Sequence, residues 1–249
     1  MQVTQILITS NSSPPQGTVQ SCINSVKRYF PDLPHILYSD QKIQELIKEH
    51  YSEDVLSAYQ KLKPFAYKSD LARLCIVNIK GGWYFDVGIF CVGRANLPSN
   101  IQFLAFRDTP LPNAAPWACC NGAFYAQPGH EILQRAIRLI VDNCEHEYHG
   151  INPLCPTGPY VWGQAIAMTK PAPFTLFGDF IELTPAHPIK NRAVVLPNGK
   201  IIAYYKPIGV QGARTSLEQL GVKGCNDYSK MWHDKEVYSI PKQATIDVE

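Results

Sequence analysis

The first fifty residues switch twice between strand-like and helix-like hydrophobic spacing, and this alternation restricts the fold more than any other feature of the chain. Val3 to Thr9 (VTQILIT) is a short apolar run suited to a buried strand, and Asn11-Ser12-Ser13-Pro14-Pro15 breaks it with turn residues. From Gly17 to Phe30, apolar residues recur at Val19, Cys22, Ile23, Val26 and Phe30, the spacing of an amphipathic helix that Pro31 and Pro34 end. His35 to Tyr38 is a second strand. Asp40 is placed to cap a second helix, with Ile43, Leu46 and Ile47 facing inward. Strand, helix, strand, helix in that order points to a parallel α/β sheet.

The pattern continues with a helix from Glu53 to Leu62 and another from Phe65 to Lys80, the latter striped by Leu71, Leu74, Cys75 and Ile79. Gly81-Gly82 is a natural stop, because glycine accepts the left-handed conformation that ends helices. Trp83 to Val92 is an aromatic and β-branched strand interrupted at Asp86-Val87-Gly88. In the second half, Ile101 to Phe106 and Ala118 to Ala126 are strands. Glu131 to Cys144 and Thr157 to Thr169 are helices, the second with Pro159 in its first turn. Val194 to Tyr205 is a hairpin with Pro-Asn-Gly-Lys at its tip. No repeat, low-complexity tract or linker interrupts residues 1–249, so a single domain is expected.

Composition removes several classes of function. The formal charge of +2 gives no basic face for nucleic acid, and 18% charged residues with 45% hydrophobic ones describe a chain with a core. No run approaches the length of a membrane span, and the N-terminus lacks a secretory pattern. A cytoplasmic location is expected, with peripheral contact at the cytoplasmic face of a membrane compatible with the mild basicity. The eight cysteines are then expected as free thiols, and Asn11-Ser12-Ser13 carries no meaning as a glycosylation sequon. There is no CxxC pair. Cys144, His146 and His149 do not share a helix face, so neither grouping points to structural zinc.

The chemistry gathers around an acid in the wrong surroundings. Asp86 follows Trp83-Tyr84-Phe85, and a carboxylate in such a strand is costly unless something pairs with it. At the C-terminal end of a parallel strand it would face the crevice where α/β folds bind ligands. Ser69, Asp70 and Arg73 lie one helix earlier. Asp70 and Arg73 are spaced to share a face, and Asp70 reads as a carboxylate at a helix start, held by backbone N–H groups.

Ala66-Tyr67-Lys68-Ser69-Asp70-Leu71-Ala72-Arg73, followed by Gly81-Gly82-Trp83-Tyr84-Phe85-Asp86-Val87, resembles the glycosyltransferases whose sugar-binding region contains a DXD motif. That group includes mannosyltransferases, bacterial capsule and lipopolysaccharide transferases, and the catalytic domains of clostridial glucosylating toxins. Its pattern is S-D-x-x-R, then G-G-x-Y-x-D-x-D. Tyr29-Phe30-Pro31-Asp32, Ile36 to Asp40, Asn121 to Ala126 with Gly129-His130, and Thr157-Gly158-Pro159 are similar to further segments of the family. The resemblance covers about residues 3 to 170.

The resemblance implies a GT-A fold, an α/β architecture with a Rossmann-like mixed central sheet flanked by helices. Residues 1–92 would be the nucleotide-binding half and 93–249 the acceptor side. It implies that Asp70 and Arg73 hold the donor sugar and that Tyr84 packs near the nucleotide. Asp86 would contact ribose and metal-diphosphate, Asn121 would reach the transferred sugar, and Thr9 would lie near the base. Asp70, Asp86 and Asn121 are the expected catalytic set, with Ser69 beside them in the donor site.

The second aspartate of the motif is Gly88 here, which weakens the expected Mn²⁺ or Mg²⁺ site. Asp86 with diphosphate oxygens and water would remain, with His233 as a further candidate ligand. The expected reaction moves a hexose from a UDP- or GDP-sugar to a glycan or lipid-linked glycan, with retention and without a covalent nucleophile. Pro110 to Trp117 and Pro171 to Phe177 are candidate loops over the acceptor cleft. A non-catalytic sugar-nucleotide or glycan-binding protein is the alternative that Gly88 favours. A dinucleotide-binding oxidoreductase is opposed by Asn-Ser-Ser-Pro-Pro where a glycine-rich turn would stand.

Overall fold

A computed structural model describes residues 1–11, 14–108, 117–170, 173–183, 192–205, 217–218 and 220–239. The first third follows the hydrophobic spacing closely. Strand β1 (Gln2–Ile6) leads to helix α1 (Gly17–Tyr29), β2 (His35–Tyr38), α2 (Asp40–His50), α3 (Glu53–Lys61) and α4 (Phe65–Lys80). Strand β3 (Gly82–Phe85) and strand β4 (Ile89–Cys91) are separated by a turn at 86–88, as the sequence suggested. Then come β5 (Phe103–Asp108), β6 (Cys119–Ala126), α5 (Glu131–Glu145), α6 (Pro159–Met168), β7 (Thr175–Glu182), β8 (Arg192–Val195), β9 (Ile201–Tyr205) and α7 (Tyr228–His233).

Nine strands form one sheet in the order β2-β1-β3-β6-β5-β7-β8-β9-β4. β2, β1 and β3 are parallel, which the opening alternation required. Beyond β3 the sheet is mixed: β3–β6 and β5–β6 are antiparallel, β5–β7 is parallel, and β7–β8–β9–β4 is antiparallel. Gly82 permits the closest approach in this scaffold. A Cβ there would stand 2.1 Å from the Gln2 carbonyl oxygen, and its φ of +101° suits only glycine, so β1 and β3 pair through a bare backbone.

Each face of the sheet buries its own core. On one side α2 to α6 pack Ile43, Leu71, Ile76, Leu133 and Trp162 onto Tyr84, Phe103 and Phe124. On the other, Val26 and Phe30 cover Trp83, Phe85, Leu104 and Phe106. Helix α4 is buried from Leu71 to Val77 and packs on β1, β3 and β6, which makes it the central helix. Strand alternation decides what it meets: Trp83 and Phe85 point to the far core, whereas Tyr84, and two residues on Asp86, face α4.

Four sequence expectations change. The strand from Val3 to Thr9 ends at Ile6, because β2 pairs with β1 only as far as that residue and β3 only as far as Thr4. Ser39, not Asp40, holds the cap position of α2, and the Asp40 carboxylate instead accepts from Tyr59 and Gln44. Thr175 to Phe177, expected in a loop, begins β7 because β5 and β8 supply its backbone partners. The short helix α7 was not expected, and none of its residues is buried. Pro110 to 116 lies outside the described residues, as do 171–172.

Candidate functional site

Three stretches of the chain converge on one arginine: α4 itself, the end of β3 and strand β6. Arg73 lies on α4, 4% exposed, and every direction from its guanidinium is occupied. Its Nε donates to the Ser69 carbonyl (3.1 Å) and one terminal nitrogen to the Asn121 carbonyl (2.7 Å). The other terminal nitrogen stands 2.9 Å from Asp70 and 3.4 Å from Asp86. The guanidinium also lies over the Tyr84 ring, 4.7 Å from its centroid. Burial pulls its pKa down, but the Tyr84 ring and the carboxylates of Asp86 and Asp70 more than offset this, so the cation is held firmly.

Asp70 is equally enclosed. Oδ1 accepts from Asn121 Nδ2 (2.8 Å) as well as from Arg73, and Oδ2 accepts from the Thr157 hydroxyl (2.8 Å). Burial pushes its pKa up and Asp86 adds to that, against the pull of Arg73, Thr157 and Asn121. The expectation that backbone N–H groups hold it is corrected here. Helix α4 starts at Phe65, so Asp70 sits beyond the first turn, where those groups are already bonded within the helix. It is held by side chains instead, and the ion pair is a buried one.

Asp86 is the exposed member, with 24% of its side chain open. Its Oδ1 accepts from the Tyr84 hydroxyl (2.7 Å), and its backbone N–H donates to the Gly122 carbonyl (2.8 Å). A Cβ at Gly122 would come within 2.7 Å of Asp86 Oδ2, so glycine there leaves room for the second oxygen. Asn121 reaches the cluster through an irregular strand. Leu104 pairs with Tyr125 and Phe106 with Cys120, so Ala105 alone stands opposite residues 121–124. A bulge of this kind turns a side chain out of its regular face, here toward Asp70.

With two carboxylates and one guanidinium, the cluster keeps an excess negative charge on the side open to solvent. Asp86, Asn121 and Ser69 are the partly exposed polar residues of the cluster. Asp70, Arg73, Tyr84 and Thr157 hold them from behind, with Tyr84 1% exposed and its hydroxyl spent on Asp86. Thr157 was legible only as the start of a helix; its bond to Asp70 spans 87 residues and has no local signature. Ser69 contributes its carbonyl rather than its hydroxyl to Arg73. Thr9 is half-buried in the segment after β1, next to Ser10, which bonds to Gly224. His233 is exposed on α7 and meets the Trp232 ring edge-on.

The residues fit a divalent cation only in part. Asp86 Oδ2 offers one carboxylate oxygen, since Oδ1 is engaged by Tyr84 and Arg73, and Gly88 offers none. A cation would be completed by ligands the donor brings. Among the described residues, the one group of three close acidic or histidine ligands is Asp142, Glu145 and His146, all exposed on α5 or just beyond it, and it shares no residue with this cluster. All eight cysteines are unpaired, and no helix among the described residues is long and apolar enough to cross a membrane.

A parallel β2-β1-β3 unit, an antiparallel extension, and an acidic site at the C-terminal ends of the parallel strands define a GT-A-like fold. It superposes on the PaToxG glycosyltransferase with a TM-score of 0.51 at 18% identity, over 66% of this chain and 68% of that one. Residues 17–104 match the family described as glycosyltransferase sugar-binding region containing DXD motif. An uncharacterized glycosyltransferase of Acanthamoeba polyphaga mimivirus is 35% identical over 97 residues, which is 39% of this chain and 38% of the viral protein.

Proposed function

We propose that the chain transfers a hexose from a UDP- or GDP-linked donor to a hydroxyl of a glycan or lipid-linked glycan. The observation that carries this is the buried Asp70–Arg73–Asp86–Asn121 cluster, which spends one cation on two acids and leaves Asp86 facing outward. Asp86 accepts hydroxyl groups of the donor and, with the diphosphate, would hold Mn²⁺ or Mg²⁺. Such a cation neutralises the departing diphosphate. Asn121 orients the sugar, while Asp70 and Arg73 frame its pocket and fix both contacts. Thr9 lies toward the base. His233 is a further candidate ligand to the cation.

No side chain in the cluster is placed as a free nucleophile, which supports front-face transfer with retention driven by positioning and leaving-group stabilisation. The halves 1–92 and 93–249 divide donor binding from acceptor binding, although Asn121 and Thr157 bring the second half into the donor cluster. The experiment is a screen of UDP- and GDP-sugars for release of free sugar, with Mn²⁺ and with EDTA. One donor is expected to turn over and EDTA to suppress it. Binding of a donor without any turnover would favour the non-catalytic alternative instead.

A further inference from the structure

The opposite end of β6 carries a second concave surface. A cavity of about 630 Å³ opens there, lined by Gln102, Gln127, His130, Glu131, Lys170 and Phe174 among others. That volume lies in the usual range for small-ligand sites, about 300–1,000 Å³. Gln127 is six positions along the chain from Asn121, just past the end of β6, so the cavity lies roughly 20 Å from the acidic cluster. None of its lining residues belongs to that cluster.

Its chemistry differs from that of the cluster. Glu131 and Lys170 carry opposite charges, Glu131 also pairing with Arg135 (3.3 Å), and the remaining polar lining is mostly amides and hydroxyls. An amide donates and accepts on one group, which complements a sugar hydroxyl. Phe174 stands 52% exposed with φ at +61°, a conformation a bulky side chain seldom adopts, and this holds an aromatic ring beside the cavity. A phosphate would call for concentrated positive charge, which Glu131 opposes.

Behind the wall lie unmet hydrogen-bonding groups that are closed to solvent. His130 is 9% exposed and caps α5, its Nδ1 accepting from the Ile132 N–H (3.3 Å). The neutral ring then carries its proton on Nε2, and that N–H meets no acceptor among the described residues. The ring stacks on Phe103 at 4.8 Å. Thr175, the β7 partner of Phe103, has a buried hydroxyl that also lacks a partner among the described residues. Two unmet polar groups therefore flank one phenyl ring, and buried groups of this kind are rare enough to need an explanation.

We propose that this cavity binds a neutral saccharide unit of a glycan, separately from the donor site. The sugar hydroxyls meet the amide of Gln102 and Oε1 of Gln127, whose Nε2 is engaged by Ile101 and Tyr125, and the apolar face of the ring lies on Phe174. The inference does not depend on the catalytic reading of the cluster.

The test applies the full chain to an array of neutral and acidic oligosaccharides and titrates the best neutral binder calorimetrically. Phe174→Ala and Gln102→Ala should each weaken binding about tenfold or more, as loss of an anchoring contact does. Asp86→Ala should bind as the parent does. Phe174→Ala decides the matter if the Gln102 variant does not fold. Absence of any neutral binder, undiminished affinity in Phe174→Ala, or loss of binding in Asp86→Ala would overturn the proposal.

Discussion

Strand β6 joins two polar regions with opposite habits. At Asn121 each charged group is answered by another: Arg73 by two carboxylates, Asp70 by Asn121 and Thr157, Asp86 by Tyr84. At His130 the surroundings are nearly charge-balanced, and a donor is left unanswered. The difference teaches how burial changes the worth of the same chemical groups. A salt bridge such as Arg107–Asp179, with side chains 66% and 38% exposed, contributes little. Asp70–Arg73, at 11% and 5%, cannot lose one partner without stranding the other.

Removing the central cation breaks the comparison most severely. Arg73→Ala leaves Asp70 buried and unpaired, so a loss of about 3–5 kcal/mol is expected in chemical unfolding, together with turnover. Gly122→Ala should leave stability closer to the parent while pushing on Asp86 Oδ2, which a Cβ would approach to 2.7 Å. A displacement of that order lowers turnover by up to about a hundredfold, measurable as donor hydrolysis at saturating substrate. Thr157→Val removes one donor from a buried carboxylate and should cost about 1–3 kcal/mol in the same unfolding assay.

The smallest effect belongs to the other end. Burial lowers the pKa of His130 from its ordinary value of 6.5. The unfolded chain therefore takes up a proton first as pH falls. The stabilisation from neutral His130 is complete above about pH 6.5 and is lost as pH drops toward the lowered folded value. Melting temperature should fall between pH 7.5 and 5, and less steeply in His130→Asn.

The two ends also differ in how far the sequence reveals them. The βα start and α4 followed from apolar spacing, because amphipathic helices and short buried strands carry their periods locally. Asp70, Arg73, Asp86 and Asn121 stood out by family resemblance, and Asp86 also as an acid among aromatics. What held them did not. Thr157 acts across 87 residues, and the turn of Asn121 toward Asp70 depends on a bulge opposite Ala105. Strand β7 was hidden because Gly178 and Asp179 interrupt its apolar pattern and its pairing comes from β5 and β8. Nothing in Gly129-His130 as sequence shows that Nε2 lacks a partner.

The most direct measurement compares donor turnover by the parent and by Asp86→Ala, with folding checked by thermal melting. Asp86 is the outward-facing acid, so its loss should remove turnover by at least about a hundredfold while the chain still melts cooperatively. A folded Asp86→Ala protein that hydrolyses or transfers the donor sugar at the parental rate would contradict the account.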